Sequence, residues 1–199
     1  LDYVRDFYED YSGSIWIATY SGLVKYDPTT DKLRNIFYEP KFKNFKHTTI
    51  FKVLPHDKEN LLLFTRYEGI LLYNIETDSI TQYDDKINKE LKTTTLRDAE
   101  IDKEGRIWTI AYGKGVFIIN PATKELQNLA NIVDRPYKQS LSGALSIHVD
   151  STGIAWIGTQ HNGLLKVILG QKYINTINNN ILGFENIESN VINTVAKDS

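Results

Sequence analysis

The sequence predicts an all-β fold assembled from four-stranded units laid side by side, and three observations carry that expectation. The first is a stretch that returns. Gly13-Ser14-Ile15-Trp16-Ile17-Ala18-Thr19 leads on to Gly22-Leu23-Val24-Lys25-Tyr26-Asp27-Pro28. Gly105-Arg106-Ile107-Trp108 leads on to Gly115-Val116-Phe117-Ile118-Ile119-Asn120-Pro121, and Gly153-Ile154-Ala155-Trp156-Ile157-Gly158-Thr159 to Gly163-Leu164-Leu165-Lys166-Val167. The second is a near-constant period. A degenerate copy over residues 60–74 puts Leu62 where the others have Trp, so the anchors stand at 16, 62, 108 and 156, spaced by 46, 46 and 48. A period in this range marks a repeat architecture. The third is local chemistry: β-branched and aromatic runs broken by Gly, Asp and Pro, the composition of strands and tight turns.

Each unit opens with a short strand ending in Asp, over residues 4–10, 51–57, 96–102 and 145–150. The turn that follows has Gly13, Gly105 or Gly153 near its end, where Asp accepts backbone hydrogen bonds and Gly takes a positive φ. Asn60 is expected to fill the Gly role in the second unit, since Asn also tolerates that region. A second strand carries the Trp. A loop ending in Gly22, Gly69, Gly115 or Gly163 leads to a third strand, and turns such as Asp27-Pro28-Thr29-Thr30-Asp31 and Asn120-Pro121-Ala122-Thr123-Lys124 lead to a fourth, over 32–37 and 125–129. Four strands in about 40 to 50 residues describe one blade of a β-propeller. The expected blades are residues 1–46, 47–92, 93–140 and 141–188, with 190–198 reading as the first strand of a fifth. No stretch carries a helical pattern of useful length. Residues 87–91 are expected to form one turn of helix in a loop.

The pattern Asp-x-x-Gly-x-Ile-Trp-Ile-x-Thr, a loop, then Gly-Leu and a Tyr-Asp-Pro turn, resembles the two-component regulator propeller repeat, and the resemblance runs through almost the whole chain. Unit two departs from it by lacking both the Gly and the Trp; unit three has Thr109 and Ala111 where the repeat prefers an aliphatic residue and Thr. Such repeats build the periplasmic sensor regions of hybrid two-component histidine kinases, anchored in the inner membrane of gut bacteria that degrade complex polysaccharides. Propellers of this kind usually have seven blades, so at this period the resemblance implies a fragment of a propeller of about 330 residues. It also implies a chain without catalysis of its own or a cofactor, with an oligosaccharide as ligand. The expected neighbours are the remaining blades and a second propeller of the parent chain, and a homodimer is a further expected partner.

Composition bounds the alternatives. At 199 residues the chain is long enough to bury a real core. A net charge of −2 gives no footprint for a polyanion, so nucleic acid is not expected. The absence of cysteine excludes disulfides and thiolate metal sites. The absence of Met leads to the expectation of an excised piece or a processed chain. No apolar run approaches the roughly 18 residues that span a bilayer, and no signal peptide is present, so membrane contact is not expected of this segment.

Strand directions alternate within a blade, so the loops between second and third strands open on the same face as the long connections between blades. Concavity and variable loops coincide on that face. The second-to-third-strand loops offer Tyr20, Arg66, Tyr67, Glu68, Tyr112, Lys114, Gln160, His161 and Asn162. The connections add Tyr38, Phe42, Phe45, Arg135, Tyr137, Lys138, Gln139 and Phe184. Aromatic faces stack on sugar rings, and Arg, Glu, Gln and Asn bridge hydroxyls. The competing reading is that these aromatics fill gaps between blades. A second candidate set begins the innermost strands: Arg5-Asp6 in unit one matches Arg97-Asp98 in unit three. Aligned on the terminal Asp, the place of Asp6 is taken by Val53, Asp98, Ser146 and Thr194. These residues are expected either to ring a ligand or to pair between adjacent blades across a wet channel. The ligand set is therefore Tyr20, Arg66, Tyr67, Tyr112, Lys114, Gln160, His161, Arg5, Asp6, Arg97 and Asp98.

Trp16, Trp108 and Trp156 are expected to pack between blades, and Asp10, Asp57, Asp102 and Asp150 to cap turns. His47, His56, His148 and His161 share no metal-ligand spacing, and neither a nucleophile elbow nor a phosphate-cradling loop is present. Two rival readings remain beside the sensor. One is a protein-interaction or dimerisation propeller. The other is an enzyme resembling streptogramin lyase, which would need His148 or His161 with a metal or a carboxylate in the channel.

Overall fold

The computed structural model describes residues 3–133, 135–169, 174–177 and 190–196. Its strands form antiparallel sheets of four, each a simple meander in chain order. The first sheet holds β1 (Val4–Glu9), β2 (Ile15–Thr19), β3 (Gly22–Asp27) and β4 (Lys32–Asn35); the second holds β5 (Ile50–Pro55), β6 (Asn60–Thr65), β7 (Ile70–Asn74) and β8 (Ser79–Gln82). The third holds β9 (Leu96–Ile101), β10 (Ile107–Ala111), β11 (Gly115–Asn120) and β12 (Glu125–Asn128), and the fourth β13 (Ala144–Val149), β14 (Ile154–Thr159), β15 (Leu164–Ile168) and β16 (Asn175–Ile177). The chain divides into two compact units, Leu1–Leu96 and Arg97–Ser199.

The returning Asp and Trp are one hydrogen-bonded device. Asp10 Oδ1 accepts from the Ser12 and Ser14 amides at 2.8 and 3.1 Å, while its Oδ2 accepts from Trp16 Nε1 at 2.7 Å. Asp102 does the same with Glu104, Arg106 and Trp108 Nε1, the last at 2.8 Å, and Asp150 with Thr152, Ile154 and Trp156 Nε1, the last at 2.9 Å. The carboxylate thus satisfies the turn and the buried indole together. In blade two there is no indole, and Asn60 Nδ2 donates to Asp57 Oδ1 at 2.8 Å in its place. The Gly role expected of Asn60 is not what the backbone shows. Asn60 has no positive φ and opens β6, because in a turn of equal length it stands at the place of Ser14, and Glu59 at that of Gly13. His56, not Asp57, holds the position of Asp10: its amide donates to Asn60 O at 2.9 Å as that of Asp10 does to Ser14 O.

Each unit is held by the face on which its tryptophan lies. In unit one Trp16 is buried, its ring centroid 5.3 Å from that of Tyr73 on β7. Phe42 closes over Tyr73 at 6.4 Å, and Phe37 packs on Phe42 and Phe45. In unit two Trp108 is buried among Ile147, Val149, Ile157 and Val167 of the neighbouring sheet. Each fully buried aliphatic side chain in such a cluster contributes about 1.5–3 kcal/mol. Trp16 and Trp108 therefore pack between blades as expected, while Trp156 is half-buried with Lys166 Nζ 5.4 Å from its ring.

Innermost strands are clasped across blades by carboxylates. Asp6 accepts from the Val53 amide at 3.0 Å, and Asp98 from the Ile147 amide at 2.9 Å. Fourth strands are shorter than expected, ending at Asn35 and Asn128. The chain turns off the sheet edge into 3-10 turns so that Ile36, Phe37 and Leu129 can bury their side chains.

Two helices correct the expectation of a single helical turn. Helix α1 (Asp85–Leu91) is capped by Asp84, which accepts from the Ile87 amide at 2.9 Å. Helix α2 (Arg135–Ser142) anchors itself by the buried Leu141. Residues 190–196, read as part of a fifth blade's first strand, form no strand and enter no ladder; residues 197–198 lie outside the described residues. Ile192 donates to Thr159 O at 2.8 Å and seats its side chain over Gly158, where an added Cβ would come within 2.6 Å of it. Among the described residues no helix is long and apolar enough to cross a membrane.

Candidate functional site

The second-to-third-strand loops are short because Thr closes them. Thr19, Thr65 and Thr159 each donate their hydroxyl to the carbonyl of the loop's last Gly, at 2.9, 2.7 and 2.7 Å. The intervening residues are thereby pushed out from the sheet edge as a small knuckle. In unit two, the knuckles of Tyr112-Gly113 and Gln160-His161-Asn162 face the end of α2, and between them lies a cleft of about 520 Å³. Gln139, Ser140, Ser142 and Gly143 complete its wall. The volume falls within the roughly 300–1,000 Å³ usual for ligand clefts. Its lining is one flat ring together with amides, hydroxyls and an imidazole, groups that both donate and accept hydrogen bonds.

Of the residues expected from sequence, Tyr112, Gln160 and His161 line this cleft, joined by Gln139 and Asn162 from the wider loop set. Lys114 is exposed outside the lining, its carbonyl accepting from Asn128 Nδ2 at 3.3 Å. Ser140, Ser142 and Gly143 were not foreseen. They enter the site because the turn ending α2 is tied to the Gln160 knuckle, whose amide donates to Gly143 O at 2.9 Å, and the sequence signal that could have shown the helix is the Tyr137/Leu141 spacing of four, which aligns one face of a short helix.

Unit one has a second cleft, of about 560 Å³, lined by Tyr3, Val4, Arg5 and Tyr20. Its geometry comes from a β-bulge. The β1–β2 register slips between Val4 and Asp6, leaving Arg5 as the extra residue, and β5 repeats the slip around Phe51. Bulges re-aim a side chain away from the strand's alternation. Here the Arg5 guanidinium lies 4.4 Å from the Tyr20 ring centroid and 5.0 Å from that of Phe51, and donates to Tyr20 Oη. The same register corrects the alignment of innermost strands: Lys52, not Val53, stands opposite Phe64 as Asp6 stands opposite Ala18.

The remaining candidates divide. Asp6 and Asp98 are the interblade clasps already described, with Lys52 Nζ also 3.4 Å from Asp6. Arg66 and Tyr67 are exposed and stacked on each other, with Arg66 Cζ 5.0 Å from the Tyr67 ring, and Tyr67 takes a φ of +76°. Arg97 lies 5.7 Å from the Tyr112 ring. Phe42 and Phe45 are packing residues of unit one; Phe184 lies outside the described residues. Among the described residues no cluster of three His, Asp or Glu side chains is placed to hold a metal ion.

Four-stranded meanders of this kind define a four-bladed portion of a β-propeller. The family model described as two component regulator propeller matches residues 1–21, the β1–turn–β2 edge that carries the Asp10–Trp16 device. No curated protein matches the chain by sequence. The extracellular domain of BT4673 from B. thetaiotaomicron, assigned to a hybrid two-component system, superposes with a TM-score of 0.69 at 21% identity, covering 88% of this chain and 21% of that one. That of BT3049 from B. thetaiotaomicron, with the same assignment, gives 0.65 at 20% identity, covering 87% and 21%. Virginiamycin B lyase from Staphylococcus aureus gives 0.60 at 11% identity, covering 87% and 54%. The chain spans about a fifth of the length of the two extracellular domains.

Proposed function

We propose that this chain is a non-catalytic, extracytoplasmic segment of a hybrid two-component sensor, and that it recognises an oligosaccharide released from a polysaccharide. The observation that carries the reading is the cleft between Tyr112, the end of α2 and the Gln160–Asn162 knuckle. It pairs one aromatic face with neutral donors and acceptors at its wall, the complement of a pyranose ring with its hydroxyls. The repeat match at residues 1–21 and the likeness to extracellular domains support a sensor setting. On this reading the protein acts from the periplasm, as part of an inner-membrane histidine kinase. Ligand binding biases the parent chain between two states only to the extent that it favours one of them. Calorimetric titration of the intact chain against a panel of plant and host oligosaccharides tests this. At least one should bind, and Tyr112→Ala should weaken it roughly tenfold by removing the stacking face. No binding by any member of the panel contradicts the reading.

One observation favours a protein-interaction role beside it. Phe7 is 72% exposed on β1, whereas Val53 and Ile147, at the matching register of β5 and β13, are buried against their neighbouring blades. Tyr11 is exposed just beyond it. Such a face suits a partner surface, and a change of oligomeric state on Phe7→Asp, read by ultracentrifugation, would support that role.

A further inference from the structure

The arginines whose side chains are described fall into two groups. Arg34 and Arg106 are held by carboxylates, Arg34 by Glu39 and Asp78, Arg106 by Asp102 and Glu104. Arg5, Arg66 and Arg97 all lie on the loop-bearing edge, and each is stacked on a tyrosine: Arg5 on Tyr20 at 4.4 Å, Arg66 on Tyr67 at 5.0 Å and Arg97 on Tyr112 at 5.7 Å. Among the described residues, none of these three forms an ion pair. The stacking is not an accident of one loop. Arg5–Tyr20 and Arg97–Tyr112 have the same separation in sequence and stand at matching places in the first and third blades. Blade two builds its stack differently, from two adjacent residues, and holds Tyr67 at a φ of +76° to do so. A bulky side chain in that region is strained.

A guanidinium stacked on a ring keeps its N–H edge directed outward in a fixed plane, and that fork matches a carboxylate or a sulfate bidentately. A guanidinium held over a ring and not paired with a carboxylate is therefore a pre-oriented anion receptor, in Arg5 through the N–H groups that its hydrogen bond to Tyr20 Oη leaves open, with an aromatic face beside it for the ring that carries the anion. Two of the three stacks border a cleft: Arg5 and Tyr20 line that of unit one, and Tyr112 lines that of unit two. Building on the reading that the ligand is an oligosaccharide, we propose that it is an acidic one, and that each Arg–Tyr stack receives one anionic sugar residue, bearing a carboxylate or a sulfate.

The test compares three probes on the full chain by calorimetry: trigalacturonate, its methyl ester, and a sulfated galacto-oligosaccharide of similar length. The methyl ester keeps the rings and abolishes the charge. The proposal expects at least one charged probe to bind about tenfold or more tighter than the ester, with affinity falling as salt is raised. Arg5→Gln and Arg97→Gln should each lose about tenfold for the charged probe and little for the ester. Far-UV circular dichroism and melting temperature establish that the variants are folded, and Arg5→Lys, which keeps charge but loses the fork, should recover only part of the loss. Whichever charged probe binds tells a uronate from a sulfate. Equal affinity for acid and ester, or charged-probe binding unmoved by both Gln variants, overturns the acidic assignment while leaving the sensor reading standing. Binding of neutral oligosaccharides alone does the same. Failure of every glycan, charged or neutral, removes both.

Discussion

Asp78 sits in the β7–β8 turn at a φ of +51° and accepts hydrogen bonds from Arg34, Lys41 and, at 2.5 Å, Tyr73 Oη. Partial burial pushes its carboxyl up, but Lys41, Tyr73 and Arg34 more than offset this and bring it down to about 2. Burial, and then the hydrogen bond to Asp78, push the Tyr73 phenol well above its usual range. An acid depressed on folding contributes stability that is whole above its ordinary pKa of 3.8 and lost as pH falls toward about 2. Thermal unfolding of the wild type and of Asp78→Asn should thus differ most above about pH 5, with the gap closing between about pH 4 and 2. A gap that is constant with pH would contradict the network. The repeated Asp–Trp pairs were legible at this scale because residue type and spacing recur together. The Asn60 substitution was misread, since aligning Asp57 with Asp10 shifts the turn by one residue, and only the strand register shows that His56 holds that place. The clasps of Asp6 and Asp98 were visible as polar residues on inner strands. That they bind the next blade's amides required the strand register.

At the scale of elements, α1 does more than bridge two blades. Asn88 is buried, accepts from the Ile70 amide at 2.8 Å and donates to the Ile70 carbonyl at 2.8 Å, so a helix side chain caps the inner end of β7. Gly69 is required beneath it, because an added Cβ would come within 2.3 Å of Asn88 Oδ1. Asn88→Ala leaves the buried Ile70 amide without its partner and takes one of two donors from the Ile70 carbonyl, which keeps the Tyr83 amide at 3.0 Å. It should cost about 1–3 kcal/mol in denaturant unfolding, whereas the exposed neighbour Lys89→Ala should cost under about 0.5. Equal, small effects would mean that the cap is not holding the strand. Strands were read with little error because their period and turns recur. The helices were not, because each is barely two turns long and its apolar face amounts to two or three residues, such as Ile87 and Leu91 or Tyr137 and Leu141. Only the buried surface already in place beneath them makes these segments helical. The cleft of unit two was half legible for that reason: the knuckle residues announced themselves, and the α2 wall did not.

For the molecule as a whole, one repeated strand meander is used twice over. The faces of its sheets are committed to packing through Trp16 and Trp108, and the edge that bears the knuckles is left to carry polar chemistry. Recognition on that edge is the central claim, and backbone amide NMR of the isotopically labelled chain, titrated with an oligosaccharide that binds in calorimetry, tests it most directly. The account predicts that shift changes gather on Tyr112, Gly113, Ser142, Gly143 and residues 160–162, leaving the opposite turns at Ser12, Glu104 and Thr152 unmoved. Changes gathered on those opposite turns, or spread over the exposed face of β1 around Phe7, would contradict it.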